Sequence, residues 1–434
     1  MNTINWTKFE DCLHGVMKDK HIPGAAVAVS QNGKVIYQKG FGVRDVETRE
    51  PVTPETIFGI ASVTKSFTAL AILKLEEEGK LSVEDPVIRY IPEFKMQGVE
   101  DMSEIKIYHL MSHTTGLPPM NRREELNDLK HHLEYVANED YELLGKPSQY
   151  FSYCNDTFLL LGEIIERLTG RLYRRFVTET ILNPLQMYRS TLSLEEVAKY
   201  DNVSVPYIYN SDSSTYEKQQ WPTLGNYEVG GGVRSNVLDL LKYGQAYVGE
   251  GPIVSKERVK KMWSHLHQIR RNAYYGYALQ VTPDYSGVTL VEHGGGQPGV
   301  SSNFGFVPEK GIVVSVLTNV SGVPAADIWL AAMNTALGIP LEQKRSVEPF
   351  YNLTSDELQL LVGSYDSAEG GYVKISLEDG APVAEAAGEK LKLRASSTNT
   401  LVVEETGLPI QFFLRDNEKA WAVLFGSRML RRKN

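Results

Sequence analysis

The stretch SVTKSFTALAILKL runs from Ser62 to Leu75 and predicts an α-helix over residues 62–78 that ends at Gly79. Its apolar residues are spread around the whole helix rather than along one stripe, and a helix of this kind is buried on every side. Other elements of the chain must therefore supply enough apolar surface to enclose it.

Strand-like segments on both sides of this helix predict a sheet. Ala25 to Ser30 and Lys34 to Lys39 are joined through Gln31-Asn32-Gly33, a pattern typical of a tight hairpin. Three similar segments return much later, the last two joined by a Pro-Glu-Lys-Gly turn: Thr289 to Glu292, Ser302 to Val307 and Ile312 to Thr318. They are expected to complete the sheet that begins near residue 25.

Residues from about 85 to 225 have few strand signals and indicate a helical subdomain. The clearest helix is the periodic stretch Phe158 to Leu168, which stops at Gly170. With the sheet and the central helix, this region predicts an α+β domain over residues 1–340. A chain of 434 residues should contain two or three compact units of roughly 150 residues.

The sequence changes character around Pro340 to Pro349. Thr354-x-x-Glu357 then has the pattern of a capped helix start, and several short strand-like runs follow it. These features predict an all-β domain over residues 350–434. Its basic residues Arg431, Arg432 and Lys433 are expected to form a solvated chain end without a function of their own.

The composition is that of a packed globular protein and excludes several partners. Hydrophobic residues make up 42% of the chain, and its net charge is -9. A nucleic-acid binder needs a basic face, so no nucleic acid partner is expected. No apolar run approaches the roughly 20 residues of a membrane span, and the first ten residues lack a secretory signal. The sequence therefore predicts a cytoplasmic protein without a membrane partner.

Cysteine and histidine usage predicts neither a metal nor a cofactor. Cys12 and Cys154 are too few for a disulfide framework and are expected to be reduced. The pairs His131/His132 and His265/His267 lack acidic or cysteine partners at ligand spacing, which favours solvated helix or loop positions. The sequence also has no phosphate-binding glycine loop.

Ser62 and Lys65 are the first candidates for chemistry. Three residues apart on a helix, a hydroxyl and an amine share one face and can touch. A serine becomes a good nucleophile when a base takes its proton, and a lysine can be that base when burial or nearby positive charge lowers its pKa. Ser103 and Lys106 have the same spacing but lie in a charged stretch typical of a surface loop, so Ser62 is the preferred nucleophile.

Two further groups of residues indicate a catalytic role only in combination with Ser62 and Lys65. Tyr153-Cys154-Asn155 places a phenol and a carboxamide two residues apart. A phenolate beside an ammonium can shuttle protons, although a buried tyrosine and a turn asparagine would give the same pattern. His293-Gly294-Gly295-Gly296 follows a strand-like segment, where glycines would let a substrate approach the backbone or would form a bend capped by the histidine.

In their order and separations these groups resemble the Ser-x-x-Lys, Tyr-x-Asn and Lys/His-x-Gly motifs of penicillin-binding proteins, class C β-lactamases and related esterases and D-peptidases. Further phrases are similar to the same family: PGAAVAV from Pro23, HLMSHTTGLP from His109, LLGEIIERLTG from Leu160, ILNPLQM from Ile181 and GGGVRS from Gly230. The resemblance covers about residues 10 to 338. It implies a β-lactamase/DD-peptidase-like antiparallel sheet flanked by helices.

The tail carries a second resemblance. LVGSY, from Leu361 to Tyr365, and the short strands after it resemble the lipocalin-like β-barrel that is appended to several such hydrolases. The expected fold class is therefore α+β, with a helical subdomain and a C-terminal all-β barrel.

The family resemblance implies acyl transfer. Ser62 would attack a carbonyl to form an acyl-enzyme, while Lys65 and Tyr153 would move protons during acylation and the later attack by water. Asn155 would hydrogen-bond the substrate's amide. The oxyanion would be held by the N–H groups of Ser62 and Gly296.

His293, the remaining catalytic candidate, departs from the β-lactamase pattern, in which a lysine usually attracts the substrate's carboxylate. A histidine with a reference pKa of about 6.5 is largely neutral at pH 7, so efficient β-lactam hydrolysis is not expected. Gly295 and Gly296 beside it are expected to bind substrate.

The implied function is a serine hydrolase that cleaves amide bonds of short D-residue-containing peptides, as a D-aminopeptidase or a carboxypeptidase does. A carboxylesterase or lactonase uses the same machinery and is the first alternative. A β-lactamase and a non-catalytic penicillin-binding protein are further alternatives, and the sequence leaves a homo-oligomer open.

Overall fold

Each of the two units of the structure is assembled from more than one segment of chain. The structure is a computed structural model that describes residues 4–264, 267–415 and 418–433. The first unit consists of Met1–Val83, Leu161–Leu266 and Tyr275–Arg345. The second consists of Glu84–Leu160, His267–Tyr274 and Ser346–Asn434.

The strands are numbered in chain order. Those before residue 320 are β1 (Gly24–Gln31), β2 (Lys34–Gly42), β3 (Phe58–Gly59), β4 (Tyr207–Asn210), β5 (Thr215–Lys218), β6 (Arg234–Ser235), β7 (His267–Arg270), β8 (Ala273–Tyr275), β9 (Gln280–Tyr285), β10 (Val288–Gln297), β11 (Val300–Val307) and β12 (Ile312–Thr318). Those after residue 360 are β13 (Gly363–Asp366), β14 (Tyr372–Glu378), β15 (Ala381–Ala386), β16 (Glu389–Ser397), β17 (Thr400–Val403), β18 (Pro409–Phe413), β19 (Ala422–Phe425) and β20 (Arg428–Arg432).

The α-helices of the described ranges are numbered in the same way. They are α1 (Thr7–Asp19), α2 (Thr64–Glu77), α3 (Ile107–Ser112), α4 (Leu129–Asn138), α5 (Asn155–Phe158), α6 (Leu160–Thr169), α7 (Tyr173–Val177), α8 (Leu194–Val197), α9 (Glu228–Gly231), α10 (Val237–Val248), α11 (Lys256–Val259), α12 (Ala325–Leu337) and α13 (Ser355–Leu361). A 3₁₀ turn over Ala61–Val63 leads into α2.

In the first unit, antiparallel strands form a sheet in the order β2-β1-β12-β11-β10-β9. The hairpin of β1 and β2 turns at Asn32 and Gly33, whose φ angles of 50° and 78° suit this residue pair. β1 also pairs with β12, with Val27 opposite Val316. The sheet therefore joins residues near 25 to residues near 315, as predicted.

Helices cover both faces of this sheet. On one face, α1 and α12 bury Phe9 and Trp329 against alternate residues of the strands, such as Val27. On the other face α10 packs against the same strands, and the Ser315 hydroxyl donates to the carbonyl of Val237 at 3.0 Å. Because neither face meets water, β1 is apolar at nearly every position instead of alternating.

The central helix α2 is enclosed as predicted. Every residue from Thr64 to Leu73 is buried. The Phe67 ring stacks on Tyr243 of α10 with 3.6 Å between ring centroids, and the Tyr243 hydroxyl donates to Ser66 Oγ at 2.9 Å. The helix stops before Gly79, whose φ is 71°.

In the second unit, β13 to β20 form a closed barrel in sequence order. The barrel closes where Tyr365 of β13 pairs with Arg432 of β20. Buried apolar side chains fill it, among them Leu361, Val373 and Phe412. The barrel interior is therefore a packed core.

Two local predictions for this unit have different outcomes. α13 starts with the predicted capping box of Thr354 and Glu357. The expectation of a solvated basic chain end is wrong for Arg431 and Arg432, which belong to β20: Arg432 donates to the Tyr365 hydroxyl at 3.1 Å and Arg431 to the carbonyl of Leu143 at 3.0 Å. Lys433 follows the strand and is exposed, as expected. The buried residues of β20 are too few to stand out in the sequence beside its cations.

The predicted fold class is confirmed, since an antiparallel sheet flanked by helices occurs together with a C-terminal β-barrel. The region expected to be helical also contains the β4–β5 hairpin, which the sequence did not predict. The domain limits at residues 340 and 350 and the subdomain limits stay predictions. In the part of the chain that the structure describes, no helix is both long enough and apolar enough to cross a bilayer.

The close packing of α10 on the sheet can be tested at Gly244. An added Cβ there would lie 2.4 Å from Val313 Cγ1, so Gly244→Ala is expected to lower stability by about 1–3 kcal/mol. In the control Gly15→Ala, on α1, the new methyl meets nothing within 4 Å, and stability is expected to rise by about 0.5–1 kcal/mol. Calorimetric unfolding measures the change in stability of each variant. Changes of the same sign in both variants would contradict the close packing of α10 on the sheet.

Candidate active site

The backbone turns sharply just before Ser62. β3 ends at Gly59, which pairs with Arg234 of β6. Ala61 then takes a left-handed conformation, with φ of 46°, which is unfavourable for a residue with a Cβ atom. The turn is held from β11, because the Ser302 hydroxyl donates to the carbonyl of Ile60 at 2.8 Å. This constrained turn fixes the direction in which the Ser62 side chain leaves the backbone.

Ser62 and Lys65 touch, as their spacing predicts. Lys65 Nζ lies 3.3 Å from Ser62 Oγ and 3.1 Å from the carbonyl oxygen of Gly230. Lys65 is 1% exposed, whereas Ser62 is only half-buried. Burial disfavours the charged form of an amine, and a neutral amine can take a serine proton. The rival serine, Ser103, is exposed, and its Lys106 forms a surface ion pair instead.

The segment GGGVRS encloses the Lys65 amine from the side of α9. An added Cβ at Gly230 would lie 2.7 Å from Lys65 Nζ, so a side chain there would displace the amine. Thr68 of α2 fixes the same segment, because its hydroxyl donates to the carbonyl of Val229 at 2.6 Å. In the sequence, the run of glycines indicated that another group approaches the backbone closely. That this group is the Lys65 amine could be identified only from the structure.

His293 lies on β10 and is 6% exposed. Its Nδ1 is 2.6 Å from the carbonyl oxygen of Gly294, and its Nε2 is 2.8 Å from the hydroxyl of Tyr275. Because a carbonyl only accepts, Nδ1 carries the hydrogen and Nε2 accepts from Tyr275. Burial and then the charge of Lys65 lower the pKa of His293 to about 3, although the bond to Gly294 opposes this shift. The imidazole is therefore neutral at pH 7.

The glycines after His293 fit a strand that lies beside the nucleophile turn. An added Cβ at Gly295 would be 2.3 Å from the carbonyl oxygen of Ile60, whereas one at Gly296 would meet open space. The pairing of β10 with β9 reaches Glu292, while its pairing with β11 continues to the end of the strand. One edge of β10 therefore extends beyond β9, where an extended ligand can pair with it.

Tyr153 and Asn155 belong to the second unit. Tyr153 is 6% exposed, and its ring centroid lies 4.0 Å from that of His113. Its backbone N–H donates to the carbonyl of Ser427 at 2.8 Å. Asn155 begins α5, and its Nδ2 lies 3.4 Å from Glu369 Oε1. Partners from the barrel were not predicted, because no local pattern links residues so far apart in the chain.

The histidine pairs have mixed outcomes. His131 is exposed, as expected, but the expectation for His132 is wrong, because it is fully buried on α4 with Nε2 3.2 Å from Asp156 Oδ1. Consecutive residues of a helix are about 100° apart around its axis, so His131 can be solvated while His132 is buried. His267 is half-buried on β7, and His265 lies outside the described residues.

The structure thus brings Ser62, Lys65, His293 and Gly295 together within the first unit. A hydroxyl next to a buried amine, at a strained turn beside an extendable strand, has the parts that acyl transfer needs. Among known proteins, residues 9–337 match the family model described as Beta-lactamase. The chain belongs to the Beta-lactamase family. Its resemblance to penicillin-binding proteins is thereby confirmed, and so is the predicted enzyme class, a serine hydrolase of the β-lactamase-like superfamily.

Individual relatives differ in how much of the chain they match. Protein flp of Staphylococcus aureus (strain MW2) is 39% identical over 179 residues, which are 39% of this chain and 35% of that protein. The chain thus matches about a third of the length of the curated relatives of this type. Penicillin-binding protein 4* of Bacillus subtilis (strain 168) is 26% identical over 97% of each chain. The octameric penicillin-binding protein homologue from Pyrococcus abyssi is 30% identical, with a TM-score of 0.74 over 98% of this chain and 99% of its own.

The position of the Lys65 amine can be tested through Gly230. Gly230→Ala places a methyl group 2.7 Å from Nζ and is expected to slow acylation of Ser62 by a fluorophosphonate about 100-fold or more. Gly231→Ala, in the same helix, is the matched control, since its methyl would be 3.5 Å from Leu224 Cδ1, an ordinary contact. Labelling is followed by intact-protein mass spectrometry. Equal labelling rates in the two variants would show that acylation of Ser62 does not depend on the position of the Lys65 amine.

The lowered pKa of His293 makes stability depend on pH. The unfolded imidazole takes up a proton below about pH 6.5, whereas the folded one does so only near about 3, so stability is full above about 6.5 and falls as the pH is lowered. The loss reaches at most about 1.4 kcal/mol per pH unit. His293→Gln should reduce the loss measured by urea unfolding between about pH 7 and 5. His131→Gln, at an exposed site, should leave it unchanged, and an equal effect of both would refute the assignment.

Proposed function

We propose that the chain is a serine hydrolase that cleaves amide bonds of short D-residue-containing peptides through an acyl-enzyme on Ser62. The observation that carries this proposal is the buried amine of Lys65, 3.3 Å from Ser62 Oγ. In its neutral form this amine accepts the hydroxyl proton as Oγ attacks the substrate carbonyl. The carbonyl of Gly230, 3.1 Å from the same nitrogen, accepts a hydrogen bond from it and helps to hold the amine beside Ser62.

The order of the motifs supports joining Tyr153 and Asn155 to this pair. In this mechanism Tyr153 moves protons together with Lys65, during acylation and again when water attacks the acyl-enzyme. Asn155 hydrogen-bonds the amide of the substrate. The N–H groups of Ser62 and Gly296 hold the oxyanion, and one such donor is typically worth about 3 kcal/mol in the transition state.

The charge state of His293 supports a peptide substrate rather than a β-lactam. With a pKa of about 3 the imidazole offers no positive charge to the carboxylate of a β-lactam. An extended peptide can instead pair with the edge of β10 beside Gly295. The D-configuration is carried over from the resemblance of the three motifs to those of D-aminopeptidases and carboxypeptidases.

A carboxylesterase or lactonase is the second candidate, because the attack by Ser62 does not depend on whether nitrogen or oxygen leaves. Turnover of p-nitrophenyl acetate compared with that of D-alanine p-nitroanilide separates the two. A β-lactamase would turn over nitrocefin far faster than either compound. A non-catalytic penicillin-binding protein would keep a stable penicillin adduct and hydrolyse none of them.

The nucleophile is tested by intact-protein mass spectrometry after treatment with a fluorophosphonate. The wild type is expected to gain one adduct, and Ser62→Ala none. Ser103→Ala is the matched control, because Ser103 has the same spacing to a lysine yet is exposed, and it should label like the wild type. Full turnover by Ser62→Ala would overturn the proposal.

Association into a homo-oligomer is part of the same proposal. The Pyrococcus abyssi relative is described as octameric. In this chain Val347 and Phe350 are 81% and 84% exposed, which supplies apolar surface for contact between copies.

A further inference from the structure

Side chains of the barrel lie against the Tyr-x-Asn motif. Arg428, the first residue of β20, donates from Nε to Glu369 Oε2 at 2.8 Å and from Nη2 to Oε1 at 3.2 Å. The guanidinium carbon is 4.6 Å from the centre of the Tyr153 ring. Glu369 Oε1 also accepts from Asn155 Nδ2 at 3.4 Å. One ion pair therefore contacts both functional side chains of the motif.

Backbone hydrogen bonds fix the turn that carries Arg428. The Tyr153 N–H donates to the carbonyl of Ser427 at 2.8 Å, and the Met429 N–H donates to Ser152 Oγ at 3.1 Å. Arg428 thus lies between two residues that are bonded to the motif segment. Its position over the tyrosine ring is set by the main chain and not by the rotamer alone.

The ion pair is partly withdrawn from water. The side chains of Arg428 and Glu369 are 31% and 23% exposed. Burial opposes the charge of Arg428, but the hydrogen bonds and charge of Glu369, followed by Tyr153, keep its pKa above the ordinary value. Because such a pair loses much of its attraction to desolvation, it is a poor source of stability. A role in orienting its neighbours explains it better.

Three further titratable groups lie in or beside the motif segment: His113, Cys154 and Asp156. His113 Nδ1 accepts the backbone N–H of Cys154 at 3.2 Å, so that nitrogen carries no hydrogen. Burial, followed by the charge of Asp156, raises the pKa of the Cys154 thiol to about 12. Asp156 itself lies 3.2 Å from His132 Nε2. Arg428 and Glu369 are two charged groups that contact the motif side chains directly.

We infer that Glu369 and Arg428 position Tyr153 and Asn155 for the reaction. This inference rests on the proposed role of Tyr153 as a proton shuttle. Arg428 holds the phenol through its face and favours its ionised form, and the negative charge of Glu369 limits that effect. A carboxylate only accepts, so Glu369 also turns the amide nitrogen of Asn155 toward itself and Oδ1 away.

Opposite shifts in the pH profile of fluorophosphonate labelling test this inference on the full chain. Arg428→Met removes the cation and should move the acidic limb to higher pH by about one unit. Glu369→Gln leaves Arg428 uncompensated and should move the limb to lower pH by a similar amount. Both should slow labelling about tenfold at the optimum, because the tyrosine is less well held. Arg428→Lys keeps the charge without the planar fork and should slow labelling without moving the limb.

The control is Lys374→Met, which makes the matching change in the exposed Lys374–Glu385 pair of the same barrel and should behave like the wild type. Thermal melting identifies a variant that fails to fold. If Arg428→Met fails to fold, the isosteric Glu369→Gln still tests the inference through its expected shift to lower pH. If the pH profiles of Arg428→Met and Glu369→Gln shift in the same direction, or do not shift, the inference is overturned. Labelling of Ser62 in the wild type would in that case leave the proposed function intact. Labelling that persists in Ser62→Ala overturns the proposed function itself.

Discussion

A buried amine is the constraint on which the construction of the site depends. Lys65 lies in a helix whose other buried residues are mostly apolar, and an amine without partners there would cost several kcal/mol. Ser62 Oγ and the Gly230 carbonyl both approach it, the first from one helical turn away and the second from α9. The first contact requires Ser62 at the start of the helix. The second requires a glycine where the backbone comes closest.

Features set by a few neighbouring residues could be predicted from the sequence. The β1–β2 hairpin follows from Asn32-Gly33, and the start of α13 follows from Thr354 and Glu357, because turn and cap geometry depend on local residue type. The burial of α2 follows from its unbroken apolar surface. The contact between Ser62 and Lys65 belongs to the same class, since it depends only on helical spacing.

What could not be predicted depends on which distant segments meet. Nothing in the run of cations near residue 430 indicates that Arg428 would lie over Tyr153, or that Arg432 would turn into the barrel. The buried pair of His132 and Asp156 has the same cause, because its partners come from separate helices. The neutral state of His293 was expected from its reference pKa, but burial is the largest cause of the lowering of its pKa, and burial is a property of the fold.

The hydrogen bond between Met429 and Ser152 joins residues that are 277 positions apart, whereas Ser62 and Lys65 are separated by 3. Closing a long loop costs more chain entropy than closing one helical turn, and contacts of large sequence separation slow folding. The serine and its amine can therefore meet as soon as α2 forms, whereas the support of Tyr153 must wait for the barrel. The contact between the serine and its amine thus needs only a local helix, whereas the support of Tyr153 requires the two ends of a long loop to meet.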